Sequence, residues 1–154
     1  NSDLERIVQL FNRTNQFNLS GTKYNYHSFL ETLQKHNNYF YSGSSLDRVG
    51  SEGLISVIGF KLNKKEIIIH SYILSCRVFG KYIEESMLMP ILNIALKNKY
   101  TIKFEFIENE RNLVIKNFLK EILKDKLYLS HNEITYLLNK INKFPISISN
   151  NFEV

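Results

Sequence analysis

The sequence contains one cysteine, two prolines and no tryptophan, and the single cysteine limits the classes of protein to consider. The one cysteine, Cys76, cannot form an internal disulfide, and a lone thiol is typical of a reducing compartment, so we expect a cytoplasmic protein. No apolar run reaches the roughly 18 residues that a membrane span needs, and no basic segment precedes an apolar one as in a signal peptide. The four histidines form no cluster with cysteine at metal-ligand spacing. We therefore predict neither a membrane segment nor a metal site.

The chain is basic, with a formal net charge of +5 that comes mainly from scattered lysines. A basic surface favours partners that carry phosphate, such as coenzyme A, or an acidic carrier protein. Nucleic acid is not expected, because the sequence has no basic recognition helix, zinc finger or aromatic RNA-binding motif. A length of 154 residues suits a single domain, residues 1–154. The start at Asn-Ser rather than Met leads us to expect a portion of a longer protein.

Hydrophobic periodicity predicts a mixture of helices and strands. The predicted helices are residues 3–12, 27–36, 83–97, 113–123 and 130–141. The predicted strands are residues 54–62, 67–74, 101–107, 126–130 and 144–149. The polar turn at residues 63–66 predicts that the first two of these strands pair antiparallel. Pro90 conflicts with a single helix over residues 83–97, because proline inside a helix removes a hydrogen bond.

The stretch from residue 67 to residue 99 is predicted to be a buried strand, a short turn and a helix. Such a turn presents unpaired backbone N–H groups and the positive end of the helix dipole, where phosphate binds readily. Gly80 allows the backbone to approach a ligand, and Arg77 and Lys81 add positive charge. Residues 77–82 (RVFGKY) resemble the Arg/Gln-x-x-Gly-x-Gly/Ala pyrophosphate loop of the GNAT acyltransferases. The alternative is a plain strand-to-helix turn in which Gly80 only relieves crowding.

Three segments resemble the motifs of one family, and this resemblance is more specific than that of the turn alone. Residues 6–7 (RI) and 9–10 (QL), followed by residues 12–20 (NRTNQFNLS), resemble the NKTNQFNLT signature of FkbH-like proteins, and residues 74–85 (LSCRVFGKYIEE) resemble their SCRVLGRGVE segment. Residues 48–55 (RVGSEGLI), which lie between them, are similar to the RFGDxGLI element. In that family these motifs belong to a GNAT-like domain that follows a HAD-type phosphatase-like domain. The HAD half, with its Asp-x-Asp nucleophile loop, is absent from this sequence.

The resemblance implies an α+β, GNAT-like fold, a mixed and mostly antiparallel sheet with helices on both faces. It also places a strand at the start of residues 37–47, followed by a loop. The implied function is acyl transfer through a phosphopantetheine thioester, with a glyceryl unit destined for an acyl carrier protein in secondary-metabolite or polysaccharide biosynthesis. The implied partners are that carrier protein and a HAD-type phosphatase domain, in cis or in trans.

The turn is the expected binding site for coenzyme A or for carrier-bound phosphopantetheine. Its phosphate would be held by the residues of the turn, Arg77, Val78, Phe79, Gly80, Lys81 and Tyr82. The pantetheine amides would pair with the edge opened between the strand that ends near Ser75 and the strand at residues 101–107.

Two residues are candidates for catalysis. Cys76 lies beside Arg77 near a helix N-terminus, which favours a reactive thiolate that could carry the acyl group; its alternative is a small buried residue at a strand end. Glu84 could act as a base if it is buried, although a carboxylate in the first turn of a helix also stabilises the helix dipole. His70 lies inside a strand and is interpreted as a core histidine rather than a base.

Six residues are candidates for substrate binding: Thr14, Asn15, Gln16, Asn18, Arg48 and Asn112. Side-chain amides both donate and accept hydrogen bonds, so the amide-rich segment could line a polar pocket, or it could cap and turn the chain. Arg48 could bind a phosphate or carboxylate with two hydrogen bonds; otherwise it is a surface turn residue. Asn112 matches the last position of the family's Pro-Thr-x-Lys-Asn connection.

Two other functions remain open from the sequence. One is an acetyl-CoA-dependent N-acetyltransferase that acts on an amine or amino sugar. It needs a small residue where Tyr82 stands and a general acid where Leu119 stands, and both departures argue against it. The other is a non-catalytic module that docks a carrier protein.

Overall fold

The computed structural model describes residues 2–150 of the chain. Over these residues it contains six α-helices, five strands and one 3-10 turn at Cys76–Val78. The helices are α1 (Ser2–Arg13), α2 (Tyr26–Leu33), α3 (Ile83–Ser86), α4 (Met89–Asn98), α5 (Leu113–Leu123) and α6 (His131–Ile141). The strands are β1 (Asn38–Leu46), β2 (Ser51–Asn63), β3 (Glu66–Leu74), β4 (Thr101–Phe104) and β5 (Tyr128–Leu129).

The five strands form one mixed sheet in the order β1-β2-β3-β4-β5. Three neighbouring pairs are antiparallel, and β3 and β4 run parallel with Ile67 opposite Ile102. The crossover between the parallel strands contains α3 and α4, as a parallel connection requires. The α+β fold with a mixed, mostly antiparallel sheet is therefore confirmed.

Helices cover both faces of the sheet. The larger core packs one face against residues of α4, α5 and α6, including Leu92, Phe118 and Leu137. The smaller core lies on the other face, where Val8, Phe11 and Phe29 of α1 and α2 contact the sheet. Full burial of each such side chain contributes roughly 1.5–3 kcal/mol, so the two cores fix both helical layers.

The predicted helix over residues 83–97 is instead two helices, α3 and α4, with a break at residues 87–88. Pro90 lies in the first turn of α4, where a missing N–H removes no hydrogen bond. The break frees backbone carbonyls, and the hydroxyl groups of two tyrosines from the sheet satisfy two of them. The hydroxyl of Tyr72 donates to the carbonyl of Glu84, and the hydroxyl of Tyr41 donates to that of Met87.

Several other boundaries differ from the predictions. The prediction of a strand at residues 144–149 is wrong. Phe144 and Ile148 pack against the larger core and pair with no strand of the described chain. β1 includes the segment that was expected to be a loop, because it pairs with β2 as far as Leu46. β4 ends at Phe104 instead of residue 107. No helix within residues 2–150 is long and apolar enough to cross a membrane.

A short segment after α1, residues 17–19, lies between β3 and the chain that follows β4; we call it the strap. The Leu74 N–H donates to the Phe17 carbonyl at 3.1 Å, and the Leu19 N–H donates to the Tyr72 carbonyl at 3.0 Å. On the other side, the Ile107 N–H donates to the Leu19 carbonyl at 3.0 Å. The strap therefore fills the gap that opens where β3 and β4 diverge.

Candidate functional site

A cavity of about 800 Å³ lies between α1, the start of β2 and the end of β3. It collects residues that are far apart in the sequence, and we call it the main cavity. Its polar lining residues are Arg6, Gln9, Arg13, Thr14, Asn15, Gln16, Ser51, Glu52, Ser75, Cys76 and Arg77. Of the candidate site residues, the structure brings Thr14, Asn15, Gln16, Cys76, Arg77 and Phe79 together here.

One wall of the main cavity is the polar face of α1. Arg6, Gln9 and Arg13 are spaced by three and four residues, so they share one face of the helix. Val8 and Phe11 on the other side are buried in the smaller core. Burial of the apolar face thus orients the polar face toward the cavity.

The segment that follows α1 is held by a lysine. Lys23 Nζ donates to the backbone carbonyls of Phe11 at 2.9 Å and Thr14 at 2.8 Å, and to Asn15 Oδ1 at 2.8 Å. A cation at a helix C-terminus satisfies carbonyls that have no partner within the helix. Thr14 is buried, and Gln16 is exposed at the cavity wall. Asn15 lines the main cavity, but its side chain already accepts a hydrogen bond from Lys23.

A second cavity of about 300 Å³ adjoins the main one at Asn15. Lys23 and Arg111 supply its positive charge, and Glu110 supplies a carboxylate. Partial burial, and then the nearby charge of Arg111, lower the pKa of Lys23 from its usual value.

Two of the predicted substrate-binding asparagines hold the backbone together. Asn18 is 1% exposed, donates to the Thr14 carbonyl at 3.2 Å and accepts from the Gly21 N–H at 2.9 Å. Asn112 is fully buried and donates to the carbonyls of Asn18 at 3.0 Å and Ile107 at 2.8 Å. Asn112 lines neither cavity, and Asn18 lines only the smaller one.

The strap also corrects one expectation about pantetheine. The edge beside the end of β3 was expected to be open to the amides of the pantetheine arm. The backbone of Phe17 and Leu19 already pairs with β3 there, so this expectation is wrong for the described structure. The main cavity begins beyond this covered edge, at Leu74.

Cys76 and Arg77 lie in the wall of the main cavity, just after β3. Cys76 is exposed and opens the 3-10 turn. Arg77 Nη1 lies 3.3 Å from Glu52 Oε2, and its Nε donates to Ser75 Oγ at 3.2 Å. The guanidinium is thus oriented by Glu52, and Cys76 is accessible to a ligand in the cavity.

The rest of the turn makes its hydrogen bonds internally. The Gly80 N–H donates to Glu84 Oε1 at 2.6 Å, and the N–H groups of Phe79 and Lys81 donate to carbonyls of the preceding turn, those of Cys76 and Val78. In this arrangement the Glu84 carboxylate occupies the position at which a phosphate oxygen was expected. Gly80 has φ +73°, which favours glycine.

The other residues predicted around the turn lie outside the main cavity. The side chain of Val78 is buried in the larger core. Tyr82 packs its ring on Phe144, with ring centroids 4.8 Å apart. Arg48 is exposed at the tip of the β1–β2 hairpin, next to a turn closed by Asp47. Arg48 does not line either cavity.

His70 fits its interpretation as a core histidine. Its Nε2 lies 2.6 Å from Asn38 Oδ1 and its Nδ1 lies 3.0 Å from Ser71 Oγ. Burial, followed by the charges of Lys61 and Lys35, lowers the pKa of His70 to about 4. The ring is therefore neutral at physiological pH. Within residues 2–150, no group of His, Cys, Asp and Glu is arranged to hold a metal ion.

The sequence analysis missed several residues that line the main cavity: Arg6, Gln9, Arg13, Glu52 and Ser75. The helical spacing of Arg6, Gln9 and Arg13 was visible in the sequence and pointed to one face of α1. Nothing local to residue 52 predicts that Glu52 pairs with Arg77, because that contact depends on how β2 and β3 align.

Comparison with solved structures shows that this chain is similar in fold to acetyltransferases. One crystal structure, described as that of a candidate acetyltransferase, matches with a TM-score of 0.62 and 10% identity, over 92% of this chain and 87% of its own. The crystal structure of GCN5 from Tetrahymena matches with a TM-score of 0.50 and 11% identity, over 80% of this chain and 67% of its own. No family model matches the chain, and no curated protein matches its sequence. The GNAT-like fold is confirmed by these neighbours.

Proposed function

We propose that this chain is an acyltransferase domain that takes its acyl group from a phosphopantetheine thioester. The observation that carries the proposal is the position of the main cavity in a GNAT-like fold. The cavity begins where β3 ends and holds Cys76 and Arg77 in its wall. Its volume of about 800 Å³ is large enough for a small ligand and part of a thioester arm.

We further propose that the donor is a carrier-bound phosphopantetheine rather than free coenzyme A. The pyrophosphate of coenzyme A does not fit the turn as it stands, because the Glu84 carboxylate already bonds the Gly80 N–H. A carboxylate at that position also repels an incoming phosphate. A carrier protein can supply binding energy through its own surface, so its binding depends less on the backbone N–H groups of the turn.

The FkbH-like motifs support a glyceryl unit as the acyl group and an acyl carrier protein as the acceptor, in the cytoplasm. A HAD-type phosphatase domain, in cis or in trans, would remove phosphate before transfer. In the transfer, the acceptor thiolate attacks the thioester carbonyl, a new carbon–sulfur bond forms, and the donor thiolate leaves. In a covalent version Cys76 Sγ is the first acceptor, and the second thiol then displaces it.

Calorimetric titration tests the choice of donor. We expect the wild-type chain to bind a phosphopantetheinylated carrier protein and to bind acetyl-CoA weakly. Glu84→Gln should raise the affinity for acetyl-CoA by roughly ten-fold, because it removes one negative charge and weakens the bond that holds the Gly80 N–H. An unchanged affinity in Glu84→Gln would contradict a phosphate site at this turn. Glu31→Gln, on the exposed face of α2, is the control for loss of one carboxylate.

A transfer assay with a glycerylated carrier tests the chemistry. Cys76→Ala should abolish transfer, and a glyceryl adduct on Cys76 should appear in intact-mass spectra of the wild type. Undiminished transfer by Cys76→Ala would exclude the covalent version. If both the wild type and Cys76→Ala bind the carrier but neither transfers the acyl group, the result would favour a non-catalytic module that docks a carrier protein.

The second candidate function is acetyl-CoA-dependent N-acetylation. It is favoured by the similarity in fold to a protein described as a candidate acetyltransferase. Leu119, at the position where an acid was expected, is 4% exposed within the larger core and cannot donate a proton. Tight binding of free acetyl-CoA by the wild type would move the conclusion to this function.

A further inference from the structure

The main cavity is lined by more positive than negative charge. Three arginines line it, Arg6, Arg13 and Arg77, and among the acidic residues of the described chain only Glu52 does so. Glu52 pairs with Arg77, with Nη1 and Oε2 3.3 Å apart. Within residues 2–150, neither Arg6 nor Arg13 has an ion-pair partner. Two cations of the wall are thus left without a neutralising group.

The two arginines face the same side of α1. They are seven residues apart, which is two helical turns and roughly 10 Å along the helix axis. Gln9 lies between them on that face, and Asn15 and Gln16 continue the polar wall. Guanidinium groups form paired hydrogen bonds with carboxylate and phosphate, and amides add neutral donors around them.

We infer that the α1 wall of the main cavity binds an anionic group of the substrate, a carboxylate or a phosphate, through Arg6 and Arg13. The inference rests on the proposed function only in calling the ligand a substrate. The anion belongs to the molecule that gives or receives the acyl group, and Arg77 with Cys76 faces it from the other wall. Substrates with a neutral group at this position would bind less tightly, since both guanidiniums would stay unpaired.

Binding of simple anions tests this inference without any acyl transfer. The probes are pyrophosphate for the phosphate arm, glutarate for the carboxylate arm and glutaramide as the neutral match of glutarate. Each is titrated into the wild-type chain while chemical shifts of the Arg6, Arg13 and Arg77 side chains are followed. We expect pyrophosphate or glutarate to shift these signals, to bind at least ten-fold more tightly than glutaramide, and to weaken as salt is raised.

Two variants locate the site. Arg6→Gln and Arg13→Gln should each reduce the affinity for the better anion by roughly ten-fold or more. Both side chains are exposed, so the variants should fold as the wild type does. Lys65→Gln is the control, because it removes one positive charge from the turn at the opposite end of β2 and β3. An equal loss in Lys65→Gln, or anions that bind no better than glutaramide, would overturn the inference.

The two proposals fail in different ways. If anions bind through Arg6 and Arg13 but no thioester is turned over, the acyltransferase proposal fails and the anion site stands. If acyl groups are transferred equally well by the wild type, Arg6→Gln and Arg13→Gln, the inference fails and the acyltransferase proposal stands.

Discussion

Replacing Asn112 by alanine should destabilise the protein by about 2–4 kcal/mol. The side chain is fully buried and donates to the carbonyls of Asn18 and Ile107, while its Oδ1 accepts from the Asn109 N–H. Alanine leaves these groups without that partner, and each buried polar group that loses its hydrogen bond costs about 1–3 kcal/mol. The Asn18 carbonyl, which is buried, carries this cost in full, whereas Ile107 and Asn109 are exposed and can bond water, so together they add only about 1 kcal/mol.

Urea denaturation followed by circular dichroism measures this loss. The midpoint should fall while the slope stays the same, because the same surface is exposed on unfolding. Asn112→Asp should be at least as damaging at pH 7, since a carboxylate would face two carbonyl oxygens, and should recover partly at low pH as it becomes protonated. Asn98→Ala is the control: its amide caps an exposed carbonyl, and we expect a change within about 0.5 kcal/mol.

A loss below about 1 kcal/mol in Asn112→Ala would refute the reasoning, because it would mean that the buried carbonyls find other partners. If stability were unchanged while binding of the substrate was lost, Asn112 would belong to the site, as the FkbH-like resemblance implies. Binding that survives at temperatures where the variant is folded would support the structural role.

Three further predictions concern the sheet. Stability should fall as pH decreases from about 6.5 toward 4, because burial holds the pKa of His70 at about 4 in the folded state and the unfolded chain takes up the proton first; His70→Gln should flatten this part of the pH profile. Gly59→Ala should lower the free energy of unfolding by about 1–3 kcal/mol in thermal or urea melts, because the new Cβ would lie 2.4 Å from the Phe40 ring. Gly43→Ala should lower it less, because its Cβ would meet the flexible side chain of Met87. Tyr72→Phe should lower stability by about 1–3 kcal/mol, because the carbonyl of Glu84 loses its donor; an unchanged urea midpoint would show that water replaces the hydroxyl.

Local pattern was enough for most of the fold. The periodicity of α1 and α5 predicted both helices to within a residue or two, and the polar turn at residues 63–66 predicted the β2–β3 hairpin. The hydrophobic pattern gave a wrong prediction where the structure of a segment depends on its neighbours in space. Residues 144–149 alternate as a strand does, yet Phe144 and Ile148 pack against the larger core, and no strand within residues 2–150 pairs with them.

The site was less predictable than the fold. Its residues come from α1, β2 and the chain after β3, so their proximity depends on how distant elements pack. The motifs at residues 12–20 and 74–85 did contain Asn15, Cys76 and Arg77, which line the main cavity. They also contained Asn18 and Glu84, whose side chains bond the protein's own backbone. Residue type alone cannot distinguish an amide that binds ligand from one that binds backbone.

The strap has a consequence for how the chain can be divided. β3 and the segment after β4 each leave a row of backbone N–H and C=O groups along the gap, and the strap pairs with both. A chain shortened to begin after residue 20 would keep every strand of the sheet but would expose these two edges, which favour pairing with other molecules. Such a fragment should self-associate, and a peptide that spans residues 2–20, added in trans, should reverse that association. Residues 17–19 thus complete the sheet, and α1 before them covers one of its faces.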